Sequence, residues 1–92
     1  MRIGVPREIK PLEGRVGLVP AACADLVQAG HEVVVETGAG LQSGYPDAAY
    51  AGLGIRIVPS AERVYAEAEL IVKVKEPVDD DLRWLRRDHI LF

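Results

Sequence analysis

The chain is poor in cysteine, tryptophan and phenylalanine, with one of each, and it has no long uninterrupted hydrophobic run. The lone cysteine, Cys23, cannot form an internal disulfide, so its presence does not indicate an oxidising compartment. We expect Cys23 to be buried, because free cysteine is among the most buried residue types. No segment is as long as a membrane span, and the N-terminus lacks the apolar stretch of a signal peptide. The sequence therefore favours a soluble, cytoplasmic protein with no membrane partner.

The chain also lacks an excess of basic charge. Its 11 lysines and arginines are outnumbered by 14 acidic residues, giving a net charge of −3, so nucleic acid is not an expected partner. Neither His31 nor His89 lies in the spacing of a metal site or a nucleophile, so we predict no metal and interpret both as structural or surface residues. With 92 residues, the chain has room for one core and is interpreted as a single domain, 1–92.

Short β-branched runs alternate with helical segments along the chain. The pattern predicts strands at 2–5, 32–36, 55–58, 70–75 and 89–92, and helices at 20–29, 46–53, after Ser60, and at 79–85. The connections are too long for hairpins, which predicts a mostly parallel α/β sheet with flanking helices, a Rossmann-like or flavodoxin-like three-layer fold. Because the last residues open an apolar strand, we expect the chain to be the N-terminal piece of a longer protein and this fold to be incomplete.

The most informative segment is the apolar run 70–77, which acquires two lysines before a proline ends it. Strand alternation places Lys73 and Lys75 on the same face as Ile71. A buried ammonium costs several kcal/mol unless an anion pairs with it, so the run indicates an anion-binding site at the carboxyl end of this strand. The alternative is that both lysines extend into water at a sheet edge.

The loop after the first strand contributes further positive charge to the same edge of a parallel sheet. The candidate cations are Arg7, Lys10 and Arg15 from that loop and Lys73 and Lys75 from the fourth strand. A guanidinium matches a carboxylate with two parallel donors, whereas an ammonium can hydrogen-bond a neighbouring carbonyl oxygen, so the set suits a small 2-oxo acid or amino acid. In the alternative, the loop cations pair with Glu8 and Glu13 on a solvated loop.

A glycine-rich segment, 38–44, follows the second strand and precedes a helix, as a dinucleotide-binding turn does. Its last gap is one residue too long for G-x-G-x-x-G, and the next strand does not end in an acidic residue. We therefore interpret it as a structural turn and assign no cofactor-binding residue in this chain.

Several separated motifs, in order, resemble the N-terminal part of the alanine dehydrogenase family. They are Ile3-Gly4-Val5-Pro6-Arg7-Glu8-Ile9-Lys10, Glu13-Gly14-Arg15-Val16, the run from Gly30-His31-Glu32-Val33 through Glu36-Thr37-Gly38-Ala39-Gly40, and Lys73-Val74-Lys75-Glu76-Pro77. The related region of proton-translocating nicotinamide nucleotide transhydrogenase shares the opening and the Glu-x-Gly-Ala-Gly element but matches Lys-Glu-Pro less well. One departure from the family pattern is Val19, where a threonine helix cap is expected.

The resemblance implies an enzyme that converts L-alanine to pyruvate and ammonia with NAD, or the reverse. It implies that Arg15 pairs with the substrate carboxylate, and that Lys75 is both a binding and a catalytic residue that polarises the substrate carbonyl or imine. The family's catalytic histidine and aspartate and its NAD site lie downstream of Phe92. The resemblance also implies a homo-oligomer, a hexamer, and a fragment that is inactive alone.

The alternative from another class is a non-catalytic α/β module. A receiver-type signalling domain needs clustered acids after its first strand, whereas this chain has Pro6-Arg7-Glu8 there, so a receiver is disfavoured. A ligand sensor made from an enzyme fragment stays open. A reading frame that continues past Phe92 into a histidine and a G-x-G-x-x-G motif would favour the dehydrogenase, and a stop codon there would favour the sensor.

Overall fold

Helices cover both faces of a parallel sheet in the computed structural model, which describes residues 1–8, 16–73 and 90–91. The elements are β1 (Arg2–Val5), α1 (Pro20–Gln28), β2 (Glu32–Glu36), α2 (Asp47–Ala51), β3 (Arg56–Val58), α3 (Ala61–Glu67), β4 (Leu70–Ile71) and β5 (Ile90–Leu91). The strand order is β3-β2-β1-β4-β5, and every neighbouring pair is parallel. The predicted α/β class is confirmed.

Local sequence signals account for most of the element boundaries. β1 and β2 have the predicted bounds, and α1 ends one residue before the predicted limit of 29. The Ser60 hydroxyl accepts a hydrogen bond from the Arg63 N–H at 3.3 Å, which confirms the predicted cap of α3. Val19 at the N-cap of α1 makes no side-chain capping bond. Of the strand predicted at 70–75, only Leu70–Ile71 forms β4: the prediction is wrong for Val72 and Lys73, which lie beyond the strand, and 74–75 are outside the described residues. The helix predicted at 79–85 also lies outside the described residues.

Alternating side chains of the strands build two apolar layers, one on each face of the sheet. In β2, Val33 and Val35 face the layer that contains Cys23 of α1 and Tyr50 of α2, whereas Val34 faces the layer of α3. The α3 layer also contains Val58, Val64, Tyr65, Ala68 and Ile71. Helices on both faces explain why the three valines of β2 are buried without a polar side, and burial of Cys23 is as predicted.

A glycine in β1 allows α3 to pack directly on the sheet. A Cβ atom at Gly4 would lie 2.6 Å from the Ala68 Cβ and 2.7 Å from the Val64 Cγ1. Real Cβ atoms do not approach other carbons so closely, so a larger residue would displace the helix. α1 and α2 lie on the opposite face. In the described part of the chain, no helix is long and apolar enough to cross a membrane.

The chain adds successive strands to one side of β1 and then to the other, and this change of side determines where the site lies. From β1 the chain adds β2 and then β3 on one side, and it then crosses to the other side to add β4 and β5. In open α/β sheets, ligands bind outside the carboxyl ends of the strands at such a switch point. The expected binding crevice therefore lies between the carboxyl ends of β1 and β4.

Candidate functional site

β1 and β4 lie side by side, so the segments that follow them begin at the same edge of the sheet. Gly4 of β1 is in register with Ile71 of β4, and the Val72 N–H donates a hydrogen bond to the Gly4 carbonyl at 2.9 Å. This bond extends the pairing one residue beyond β4. The residues after Val5 and after Val72 therefore leave the sheet together at the switch point.

A buried ion pair joins these two segments. The Lys73 Nζ lies 3.5 Å from the Glu8 Oε1, and the two side chains are only 5% and 3% exposed, respectively. Removing one partner of such a pair leaves an uncompensated buried charge, which costs about 3–5 kcal/mol in proteins generally. The pair therefore joins the end of β4 to the loop after β1 through two enclosed side chains, which are sensitive to loss of either charge.

This pair changes two of the interpretations made from the sequence. The ammonium of Lys73 does meet an anion, as its burial demands, but that anion belongs to the protein's own Glu8. The alternative in which both lysines extend into water is wrong for Lys73. The alternative that places Glu8 on a solvated loop is wrong in its solvation, because the Glu8 side chain is 3% exposed. The pairing of Lys10, Glu13 and Arg15 in that alternative lies outside the described residues.

Arg7 is directed to a different part of the edge. Its backbone N–H donates a hydrogen bond to the Glu36 Oε1 at 2.9 Å, and a Cβ at Gly38 would lie 3.7 Å from the Arg7 Cδ. The Arg7 side chain is therefore exposed beside the turn that follows β2, rather than beside β4. Of the predicted loop cations, Arg7 does not join Lys73, and Lys10 lies outside the described residues.

The two residues predicted to bind substrate, Arg15 and Lys75, also lie outside the described residues. The described chain resumes at Val16, directly after Arg15, and ends at Lys73, two residues before Lys75, and these two segments are in contact. A Cβ at Gly17 would lie 2.6 Å from the Val72 carbonyl oxygen, and Val16 is buried in the same apolar layer as Val72. The segment that follows Arg15 therefore packs against the segment that leads to Lys75.

The glycine-rich turn after β2 is filled by the protein's own groups. The Gly38 N–H donates to the Asp47 Oδ1 at 2.8 Å, and the Thr37 hydroxyl donates to the other oxygen of that carboxylate. A Cβ at Gly40 would lie 2.8 Å from the Tyr45 carbonyl oxygen. These contacts agree with its interpretation as a structural turn, and they leave its described amides unsuited to cradle a phosphate.

A tyrosine that the sequence reasoning missed anchors the return of the loop after β1. The Tyr50 hydroxyl of α2 donates a hydrogen bond to the Leu18 carbonyl at 2.9 Å. Burial raises the pKa of Tyr50 to about 12, with smaller effects from Cys23, Tyr45 and Asp47. Periodicity alone did not reveal this role, because the bond joins two segments far apart in the chain.

The described pocket near α1 does not resemble a site for a small charged substrate. It is an open groove of about 400 Å³ with an apolar lining. The lining residues are Val19, Pro20, Ala21, Tyr45, Ala49 and Leu53.

His31 makes a surface contact, with its Nδ1 3.4 Å from the N-terminal nitrogen of Met1, in keeping with its interpretation as a structural or surface residue. Within residues 1–8, 16–73 and 90–91, no three metal-binding side chains form a group.

Comparison with known proteins gives the same assignment as the sequence motifs. Residues 4–92 match the family described as "Alanine dehydrogenase/PNT, N-terminal domain". The alanine dehydrogenase of Bacillus subtilis (strain 168) is 45% identical over 92 residues, which is 100% of this chain and 24% of that protein. The NAD(P) transhydrogenase subunit alpha of Cereibacter sphaeroides is 42% identical over 91 residues, covering 99% of this chain and 17% of that protein.

Two solved structures have the same fold. An L-alanine dehydrogenase aligns with a TM-score of 0.95 and 45% identity, covering 99% of this chain and 25% of that one. A transhydrogenase from Sinorhizobium meliloti aligns with a TM-score of 0.91 and 32% identity, covering 99% and 26%. The chain thus spans about a quarter of the alanine dehydrogenases that it matches. On this evidence, the chain belongs to the alanine dehydrogenase/PNT N-terminal domain family.

Proposed function

We propose that this chain is the N-terminal part of the substrate domain of a cytoplasmic, NAD-dependent alanine dehydrogenase. The enzyme would convert L-alanine, NAD and water to pyruvate, ammonia and NADH, or run in reverse. The observation that carries the proposal is the junction of the loop after β1 with the end of β4, where Gly17 meets Val72 and Glu8 meets Lys73. The 45% identity to an alanine dehydrogenase over the whole chain supports it.

In this proposal Arg15 and Lys75 bind the two ends of one small organic acid. Arg15 is two residues from Gly17, and Lys75 is three residues from Val72, so the contact between Gly17 and Val72 supports their convergence. A guanidinium at Arg15 would pair with the substrate carboxylate through two parallel hydrogen bonds. The Lys75 ammonium would hydrogen-bond the substrate's carbonyl or imine and withdraw electron density from the reacting carbon.

The described residues do not fit NAD, because the glycine-rich turn is filled by Asp47 and Tyr45 contacts. We therefore assign NAD, together with the family's catalytic histidine and aspartate, to parts of the protein outside these 92 residues. Oxidation requires the substrate and the nicotinamide to be held in contact, so the 92-residue chain by itself should be inactive. The family resemblance suggests a homo-oligomer, a hexamer in the intact protein.

The experiment is an assay of the protein expressed from its complete reading frame. We expect alanine-dependent formation of NADH, and we expect Arg15→Ala and Lys75→Ala to lower kcat/KM for alanine by about a hundredfold or more without unfolding the protein. Arg63→Ala is the matched control, because Arg63 forms an exposed ion pair with Glu67 on α3. Near-normal kinetics for both site variants would reject the site assignment.

A second candidate function is the NAD-binding subunit of a transhydrogenase, favoured by the 42% identity to the subunit alpha of Cereibacter sphaeroides. Together with the subunit that binds the second nucleotide, the protein would then exchange hydride between nicotinamide nucleotides without oxidising alanine. A non-catalytic ligand-binding module would do neither. Assays with alanine and with a pair of nicotinamide nucleotides therefore separate the three candidates.

A further inference from the structure

The two ends of the loop after β1 meet two neighbouring residues just beyond β4. Where the loop leaves β1, Glu8 forms the buried ion pair with Lys73. Where the chain returns, Gly17 packs against the Val72 carbonyl. The residues between these two attachments include Arg15, and Lys75 follows Lys73 by two positions.

The polar attachment is built differently from the other described ion pairs of the chain. Arg56 and Arg63 are 58% and 54% exposed, and both pair with Glu67, which is 19% exposed. Exposed pairs contribute little, because water screens them and long side chains lose entropy. The side chains of Glu8 and Lys73 are almost fully enclosed. An unpaired charge is costly in such a place, so the two side chains are held close to each other.

We propose that the Glu8–Lys73 pair positions the substrate-binding residues of this site. The pair holds the start of the loop against the end of β4, and it neutralises the Lys73 ammonium, so that Arg15 and Lys75 alone meet the carboxylate and the carbonyl of a small 2-oxo acid. Glu8 and Lys73 are positioning residues that do not touch the substrate. This inference rests on the proposed dehydrogenase function and adds two residues to it.

The test compares Glu8→Gln and Lys73→Met with Glu67→Gln in the protein expressed from its complete reading frame. Glu67→Gln is the matched control, because it removes a carboxylate that pairs with two arginines that are more than half exposed, Arg56 and Arg63. We expect Glu8→Gln and Lys73→Met to lower kcat/KM for pyruvate by about ten- to a hundredfold, because small displacements of binding groups cost that much. The KM for NADH should stay within about twofold, since a positioning effect on the acid site does not affect the cofactor site.

A conservative variant separates positioning from general damage. Lys73→Arg keeps a cation opposite Glu8 and should retain more kcat/KM for pyruvate than Lys73→Met does. If the neutral variants do not fold, Glu8→Asp carries the test. Aspartate keeps the negative charge but places it one methylene group farther from Lys73. We expect a lower kcat/KM for pyruvate at an unchanged melting temperature.

Three results would overturn the inference while leaving the proposed function intact. They are a kcat/KM for pyruvate that matches the Glu67→Gln control, a parallel rise in the KM for NADH, and a Glu8→Asp variant with wild-type kinetics where the neutral variants fail to fold. A wild-type protein that forms no NADH from alanine would instead overturn the proposed function, and this inference with it.

Discussion

The Tyr50 hydroxyl donates a hydrogen bond to the Leu18 carbonyl at 2.9 Å and thereby ties α2 to the segment that enters α1. Tyr50 is fully buried and Leu18 is half-buried, so the bond is partly shielded from water. The same segment contains Gly17, which contacts Val72 at the end of β4. Tyr50 therefore supports the edge of the sheet where we place the substrate site.

Tyr50→Phe should destabilise the chain by about 1 kcal/mol, because the carbonyl of half-buried Leu18 would lose its hydrogen-bond donor. Chemical denaturation followed by circular dichroism measures the change in the free energy of unfolding. Tyr45→Phe is the control, because Tyr45 is only partly buried, and it should change stability by less than about 0.5 kcal/mol. Equal effects of the two variants would contradict the assigned role of Tyr50.

Gly17→Ala should also destabilise the chain, by about 1–3 kcal/mol, because its new methyl group would lie 2.6 Å from the Val72 carbonyl oxygen. That oxygen belongs to the backbone and has no rotamer through which to move away. Gly52→Ala is the control, since the nearest atom to its Cβ would be the Ala48 carbonyl oxygen at 3.2 Å. Thermal unfolding of the two variants should give a clearly lower melting temperature for Gly17→Ala, and a wild-type value would contradict the contact.

Val19→Thr should stabilise α1. Val19 occupies the N-cap with extended backbone angles, φ −77° and ψ 161°, and makes no capping bond. A threonine oxygen there can accept a hydrogen bond from the second or third backbone N–H of the helix, which is typically worth about 1 kcal/mol. Denaturant titration should place Val19→Thr above the wild type, and Val19→Ala, which cannot cap, should not gain stability. A threonine variant no more stable than the alanine variant would reject this explanation.

Stability should fall in alkaline solution, beginning near pH 9. Burial raises the pKa of the Cys23 thiol from 9.0 to about 11 and that of Tyr50 from 10.0 to about 12. Each group binds its proton more tightly in the folded protein than in the unfolded chain. Its contribution to the free energy of unfolding is therefore complete below its pKa in the unfolded chain. It is lost as pH rises toward the folded pKa, over about 9 to 11 for Cys23 and 10 to 12 for Tyr50.

The measurement is the free energy of unfolding at several pH values between about 8 and 11. Cys23→Ala should flatten the decline just above pH 9, because this variant removes the thiol that begins to titrate there in the unfolded chain. The comparison uses the slope with pH, since loss of the sulfur lowers stability at every pH. Parallel curves for the wild type and the variant would contradict a contribution from Cys23.

Local residue patterns were enough to predict the fold class and, with shifts at several ends, the strands and helices that the structure describes. The β-branched runs predicted β1 and β2 with their observed bounds, and Ser60 predicted the start of α3. Alternation of strands and helices predicted a parallel sheet, because connections of that length cannot form hairpins. The strands and helices depend on interactions between residues close in sequence, and the connection lengths exclude hairpins, so the sequence by itself determined these features.

Only the tertiary structure decided which residues meet at the carboxyl edge. The sequence placed Lys73 at the end of a buried strand and correctly required an anion for it, but it did not identify Glu8 as that anion. The partner depends on β4 lying next to β1 in the sheet, a pairing of distant strands that no local pattern records. The bond from Tyr50 to Leu18 depends on the packing of α2 in the same way, since both contacts arise when separate elements are brought together by burial of their apolar faces.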